Sequence, residues 1–110
     1  MENQIEINGV VYIRQEKPSS VVLIRTYSAG IHFGELVSRD GREVTLKNAR
    51  RLWSWSGACS LSQVAVDGVD LDGSRISVTV PSITLTEAIE IIPMSERASY
   101  KMMGAAPWKK

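Results

Sequence analysis

Ile5, Ile7, Val11 and Ile13 flank the dipeptide Asn8-Gly9, an alternating pattern around a two-residue turn that predicts a tight hairpin over residues 4–14. Pro18-Ser19-Ser20 ends that pattern. Val21 to Tyr27 is then a β-branched and aromatic run of the kind found in buried central strands. Ser28-Ala29-Gly30 offers a turn or bulge before a second strand-like stretch, Ile31 to Val37. Asp40-Gly41 supplies another hairpin turn, and Glu43 to Lys47 alternates with the two-residue period of a half-buried strand. Residues 21–47 therefore predict an antiparallel meander.

Beyond Lys47 the pattern changes. Asn48 suits a helix N-cap or a turn, and Ala49 to Trp53 fits either a short helical turn or an irregular loop. Leu61, Val64 and Ala65 are spaced for a short helix that Ser60 caps and Asp67-Gly68 ends. Arg75 to Val80 alternates cleanly, Pro81 interrupts, and Ile83 to Ile92 is a further apolar-rich stretch bounded by Pro93. Ser95 to Met103, with Glu96 in the first turn and Gly104 just past the end, predicts a terminal helix.

These elements predict a mainly β (or α+β) fold: a compact antiparallel β domain of about six to eight strands, a small sandwich or partly closed barrel, with one or two short helices. Residues 1–104 form one β-rich domain on this reading, and 105–110 a short loose tail unless Trp108 docks on a partner chain. The expected core includes Val22, Ile24, Leu36, Leu46, Leu61, Val64, Val78, Ile89 and Ile91. A chain of 110 residues buries a modest share of its surface alone, about 60 to 70 per cent, so a homo-oligomer is expected.

Composition narrows the function classes. The 13 Lys and Arg against 12 Asp and Glu are too balanced to grip long nucleic acid over a whole surface. The charge is segregated, however. Residues 25–57 hold six basic side chains against three acidic ones, and residues 58–96 hold one against six. Such a division steers a small anion to one face or helps copies stack, though solvated faces also segregate with no partner at all. No run approaches the roughly 18 to 20 apolar residues of a membrane helix, so no membrane partner is expected. The N-terminus has neither the basic nor the apolar region of a secretory signal, which predicts a cytoplasmic protein. One cysteine, Cys59, and one histidine, His32, supply neither a disulfide nor a structural zinc site. No cofactor or metal is expected.

Polar and aromatic residues are densest between Arg25 and Gln63, which hold four of the seven aromatics and the lone His and Cys. Arg guanidinium groups match phosphate oxygens bidentately, small residues let backbone N–H groups approach an anion, and Trp or Tyr faces stack on bases. The candidate ligand-binding set is Arg25, Tyr27, Ser28, His32, Asn48, Arg50, Arg51, Trp53, Trp55, Ser60 and Gln63. Neither phosphate-loop spacing, G-x-x-x-x-G-K-[ST] or G-x-G-x-x-G, occurs.

Competing readings stand beside each candidate. Trp53 and Trp55 share a face on a strand and would pack as a core pair. Adjacent Arg50 and Arg51 diverge in direction, so ordinary surface ion pairs serve as well as a shared phosphate. His32, between Ile31 and Phe33, fits a hydrogen-bonded structural histidine, and Cys59 an inert thiol. No G-x-S-x-G elbow supports a Ser–His–Asp triad, and Asp67 to Gly73 lacks a calcium loop's twelfth-position Glu. No catalytic residue is assigned.

The strings RTYSAGIHFG and KNARRLWSWSGACSLSQ, followed later by SITLTEAIEIIP, resemble a family of small uncharacterised proteins of tailed bacteriophages and prophages, across roughly residues 20–95. The resemblance implies a phage accessory protein in the cytoplasm of the infected bacterial host, and carries no catalytic residue. Phage proteins of this size include sponges that sequester the nucleotide messengers of bacterial immunity. The expected function is accordingly a non-enzymatic binder of a small phosphorylated nucleotide. A phage structural or host-protein-binding module with no small ligand is the alternative, and a small nucleotide hydrolase using His32 a third.

Overall fold

The computed structural model describes residues 4–7, 10–13 and 20–109. Its elements are β1 (Gln4–Ile7), β2 (Val10–Ile13), β3 (Val21–Thr26), β4 (Ile31–Asp40), β5 (Glu43–Ser54), α1 (Leu61–Asp67), a single 3-10 turn at Leu71–Gly73, β6 (Arg75–Ile76), β7 (Val80–Leu85), β8 (Ala88–Pro93) and α2 (Glu96–Met103). β1 and β2 pair antiparallel, with Ile7 opposite Val10; the Asn8-Gly9 turn and the Pro18-Ser19 break lie outside the described residues.

The fold is mainly β, as the alternation predicts: six antiparallel strands in one open sheet, with two short helices. β3 sits between β4 and β8, and β5 pairs with β4 on one side and with β6 and β7 in succession on the other. The sheet is not closed, but it curls. β7 and β8 belong to opposite edges and are joined only by Thr86 and Glu87, which draws the edges together at that end.

The apolar side chains of the six-stranded sheet divide between two cores, one on each face. Leu23, Phe33, Leu52 and Ile76 face Val64 and Ala65 of α1 and Ala98 and Met102 of α2. Val22, Ile24, Val44, Leu46, Ala49 and Leu85 pack together on the other face, inside the curl. Both helices start where expected: the Ser60 and Ser95 hydroxyls accept from the N–H groups of Gln63 and Ala98, and Gly68 and Gly104 terminate them.

Asn48 opens neither a helix nor a loop. β5 continues through it to Ser54, because Asn48 takes the left-handed conformation (φ 51°) that places an extra residue opposite Gly34. Phe33 pairs with Arg50 and Glu35 with Lys47, leaving Asn48 and Ala49 to face the single Gly34. A glycine is favoured there, since a Cβ would lie 3.0 Å from Ala49 Cα and 3.0 Å from Lys47 O. The bulge reverses the strand's parity. Val44 and Leu46 share a face with Ala49, Arg51 and Trp53, while Arg50 and Leu52 turn to the helices.

Several sequence expectations change. Pro81 lies within β7, tolerated because β7 is an edge strand pairing only with β5 among the described residues. Arg75 to Val80 is strand only at its ends, and Ile83 to Ile92 is split between β7 and β8. Of the expected core, Val22, Ile24, Leu46 and Val64 are buried, and Leu61 and Ile91 pack against the clusters. Leu36, Val78 and Ile89 are exposed. Leu36 lies past the last β3–β4 pair, Val21 with Glu35; Val78 lies between strands; Ile89 is the extra residue of a bulge opposite Arg25 and Thr26. The C-terminal tail lies against the body: Ala105 is buried and the Trp108 N–H donates to Ile76 O (2.7 Å).

Candidate functional site

The reversed parity of β5 builds a hollow on the face away from the helices. Arg51 and Trp53 form one wall, and Val78, Val80 and Ile83 face them from the chain that pairs along the outer edge of β5. The hollow holds about 210 Å³ and is walled chiefly by apolar atoms. It is small by the standard of ligand sites, commonly about 300 to 1,000 Å³. A second hollow of about 370 Å³ lies beyond it, bordered by Ser28, Ala29, Gly30 and Trp55. Arg51 and Trp53 belong to both, so they stand on the ridge between the two.

Trp53 is 54% exposed, an unusual expense for so large an apolar ring unless something covers it. The Arg51 guanidinium lies over that ring, 4.7 Å from its centroid. Stacking holds a guanidinium by its face and leaves its in-plane N–H donors free for a planar anion. No carboxylate pairs with Arg51 among the described residues.

His32 forms the floor, at 2% exposure. Its Nε2 lies 2.9 Å from the Ala29 carbonyl, which can only accept, so Nε2 carries the proton and donates. Arg51 Nε, 3.3 Å from the same nitrogen, therefore packs beside a protonated ring position without bonding to it. Burial pushes the His32 pKa below its ordinary value, the Ala29 bond opposes this, and the positive charge of Arg51 lowers it further. The ring is neutral at neutral pH. The Ser77 hydroxyl is held by the backbone, accepting from Arg51 N–H (2.8 Å) and donating to Val78 O (2.9 Å).

The aromatic surface continues onto the tail. Trp108, itself 51% exposed, meets Trp53 edge to face with centroids 6.3 Å apart and planes at 65°. Arg75 lies over Trp108 at 5.1 Å. Two cation–aromatic pairs thus adjoin, Arg51 with Trp53 and Arg75 with Trp108.

A family model described as a domain of unknown function, DUF6948, matches residues 19–102. The chain belongs to this family. No curated protein and no solved structure matches it. The DUF6948 match takes in β3 through most of α2, and so every residue bordering the two hollows, but stops short of Trp108.

Within the DUF6948 domain the residues singled out from sequence separate. His32, Arg51 and Trp53 come together, and Ser28 and Trp55 border the adjoining hollow. Trp55 does not share a face with Trp53: the strand ends at Ser54, and Trp55 packs against the helix-side core with its Nε1–H donating to Ala58 O (3.3 Å). Arg50 borders the first hollow, but its head is spent on carbonyls, Nε on Ser77 O (2.9 Å) and Nη1 on Met102 O (3.2 Å) and Met103 O (3.0 Å). These last are carbonyls at the end of α2, where Met102 O also accepts from Ala105 N–H (3.3 Å) and a cation suits the helix dipole. Asn48 Nδ2 donates to Glu35, Ser60 caps α1, and Gln63 Oε1 accepts from Cys59 N–H. Arg25 pairs with Glu90 at 3.4 Å, and Tyr27 is exposed outside both hollows. Ser28 is bonded to Glu87. Val78, Val80 and Ile83, with Arg75 and Trp108, were invisible as site residues in the sequence, since only the pairing of distant segments brings them to β5.

Proposed function

We propose that this DUF6948 protein is a non-enzymatic binding module whose ridge at Arg51 and Trp53 takes a small phosphorylated nucleotide. The observation that supports it most is the Arg51 guanidinium, without a carboxylate partner among the described residues, held on the half-exposed Trp53 ring between two hollows. Arg51 meets a phosphate and the Trp53 ring a base, the two interactions a nucleotide needs. Binding without turnover is the better reading because His32 is buried, neutral and bonded to Ala29, and the Ser77 hydroxyl is committed to the backbone. Among the described residues no carboxylate borders either hollow to complete an acid–base pair. Placed with the resemblance to phage and prophage proteins, the proposal extends to sequestration of a nucleotide messenger of anti-phage immunity in the host cytoplasm, by a homo-oligomer.

A thermal-shift panel of AMP, GMP, cyclic dinucleotides and cyclic ADP-ribose isomers tests the reading. A ligand that binds the folded state raises the midpoint with concentration, and is recovered unchanged after denaturation. No shift with any of them at about a hundred times a micromolar Kd contradicts it. The exposed Trp53–Trp108 contact also favours a second reading, a protein interface, since paired Trp and Arg anchors dominate such surfaces. Capture of a defined phage or host protein that Trp53→Ala abolishes, with no nucleotide shift, selects that reading.

A further inference from the structure

We infer that Arg75 and Trp108 form a second anion subsite continuous with the first, so that the ligand carries two separated phosphate groups, as a dinucleotide does. The inference rests on the nucleotide reading above and deepens it. Arg75 has the same arrangement as Arg51: its guanidinium lies over a half-exposed Trp ring, 5.1 Å from the centroid, with no carboxylate partner among the described residues. Four of the five other described arginines are engaged differently. Arg25 and Arg97 pair with Glu90 and Asp67, Arg39 donates to Gly41 O, and Arg50 is buried on carbonyls.

Position supports the same conclusion. Trp108 reaches Trp53 because its N–H donates to Ile76 O, which fixes the tail beside β6, and Ile76 pairs with Leu52 next to Trp53. The two guanidiniums are thereby held over two rings in contact, 4.7 and 5.1 Å from their centroids. A single phosphate needs only one such fork. When two linked phosphates engage two forks, the second contact is intramolecular and its effective concentration is high. With a ring between each guanidinium and the other, the arrangement suits phosphates separated by a nucleoside better than adjacent ones.

The test is titration calorimetry of the full chain with AMP, ADP and the linear dinucleotide pApA, whose charge is close to that of ADP. The expected result is pApA binding at least about tenfold more tightly than ADP, with Arg75→Ala and Trp108→Ala abolishing that advantage while AMP binding holds. If AMP and ADP bind but pApA gains nothing, or if Trp108→Ala weakens AMP and pApA equally, the second subsite is overturned and the nucleotide reading survives. If none of the three binds, both fail. Affinity that goes on rising from pApA to a hexanucleotide also overturns the inference, since it marks a strand-tracking surface.

Discussion

Arg50 and Arg51 are adjacent in the chain and serve opposite faces of one sheet. Arg50 is buried with its Nη1 3.2 and 3.0 Å from the Met102 and Met103 carbonyls, while Arg51 lies half-buried over Trp53. The single extra residue at Asn48 sets which arginine goes where, because without it Leu46 and Arg50 would share a side.

That division separates stability from binding. Arg50→Ala removes its bonds to the Ser77, Met102 and Met103 carbonyls in a dry setting and is expected to cost about 2 to 4 kcal/mol. Arg51→Ala removes a half-exposed contact with the Trp53 ring and is expected to cost under about 1 kcal/mol. Urea unfolding of both variants checks this, and equal losses would break the account.

The bulge is testable by itself. Asn48→Gly keeps the left-handed backbone and loses only the bond to Glu35, so a change within about 1 kcal/mol is expected. Asn48→Val puts a β-branched residue at φ 51° and is expected to cost about 1 to 3 kcal/mol. Gly34→Ala forces its Cβ on the backbone of Lys47 and Ala49, with an expected loss of about 1 to 3 kcal/mol. Chemical denaturation midpoints rank the three.

Which parts of this were legible depended on how local their causes are. The strands β3 and β4, the first half of β5, the Asp40-Gly41 turn and both helices with their Ser60 and Ser95 caps follow from signals a few residues long, and they stand where the pattern puts them. Asn48 misled because one property, tolerance of the left-handed region, serves caps, turns and bulges alike. Only the partner strand, with Gly34 opposite, selects the bulge. Arg51 and Trp53 were visible as a cluster because they are neighbours, whereas Trp108 depends on a hydrogen bond to Ile76 that no local pattern announces.

His32 gives the protein a pH dependence of known sign. Its folded pKa lies below the ordinary 6.5, so the unfolded chain takes up the proton first as pH falls. Stability is therefore expected to drop below about pH 6.5, to level off once the folded ring also titrates, and to be unaffected by this group at higher pH. Urea midpoints at about pH 7.5 and about pH 5 should diverge more for the wild type than for His32→Gln. Equal divergence would assign the acid sensitivity to other groups.

The central claim is that the Arg51–Trp53 ridge binds the phosphate and base of a nucleotide, and titration calorimetry of Arg51→Ala and Trp53→Ala with AMP against the wild type tests it most directly. Loss of Arg51 is expected to weaken binding about tenfold to a hundredfold with the unfolding midpoint scarcely moved. Trp53→Ala is expected to weaken binding too, at a stability cost well short of the roughly 3 to 5 kcal/mol of a core tryptophan, because its ring is half exposed. Wild-type affinity in both variants, with only stability reduced, would contradict the account and make this ridge part of the scaffold.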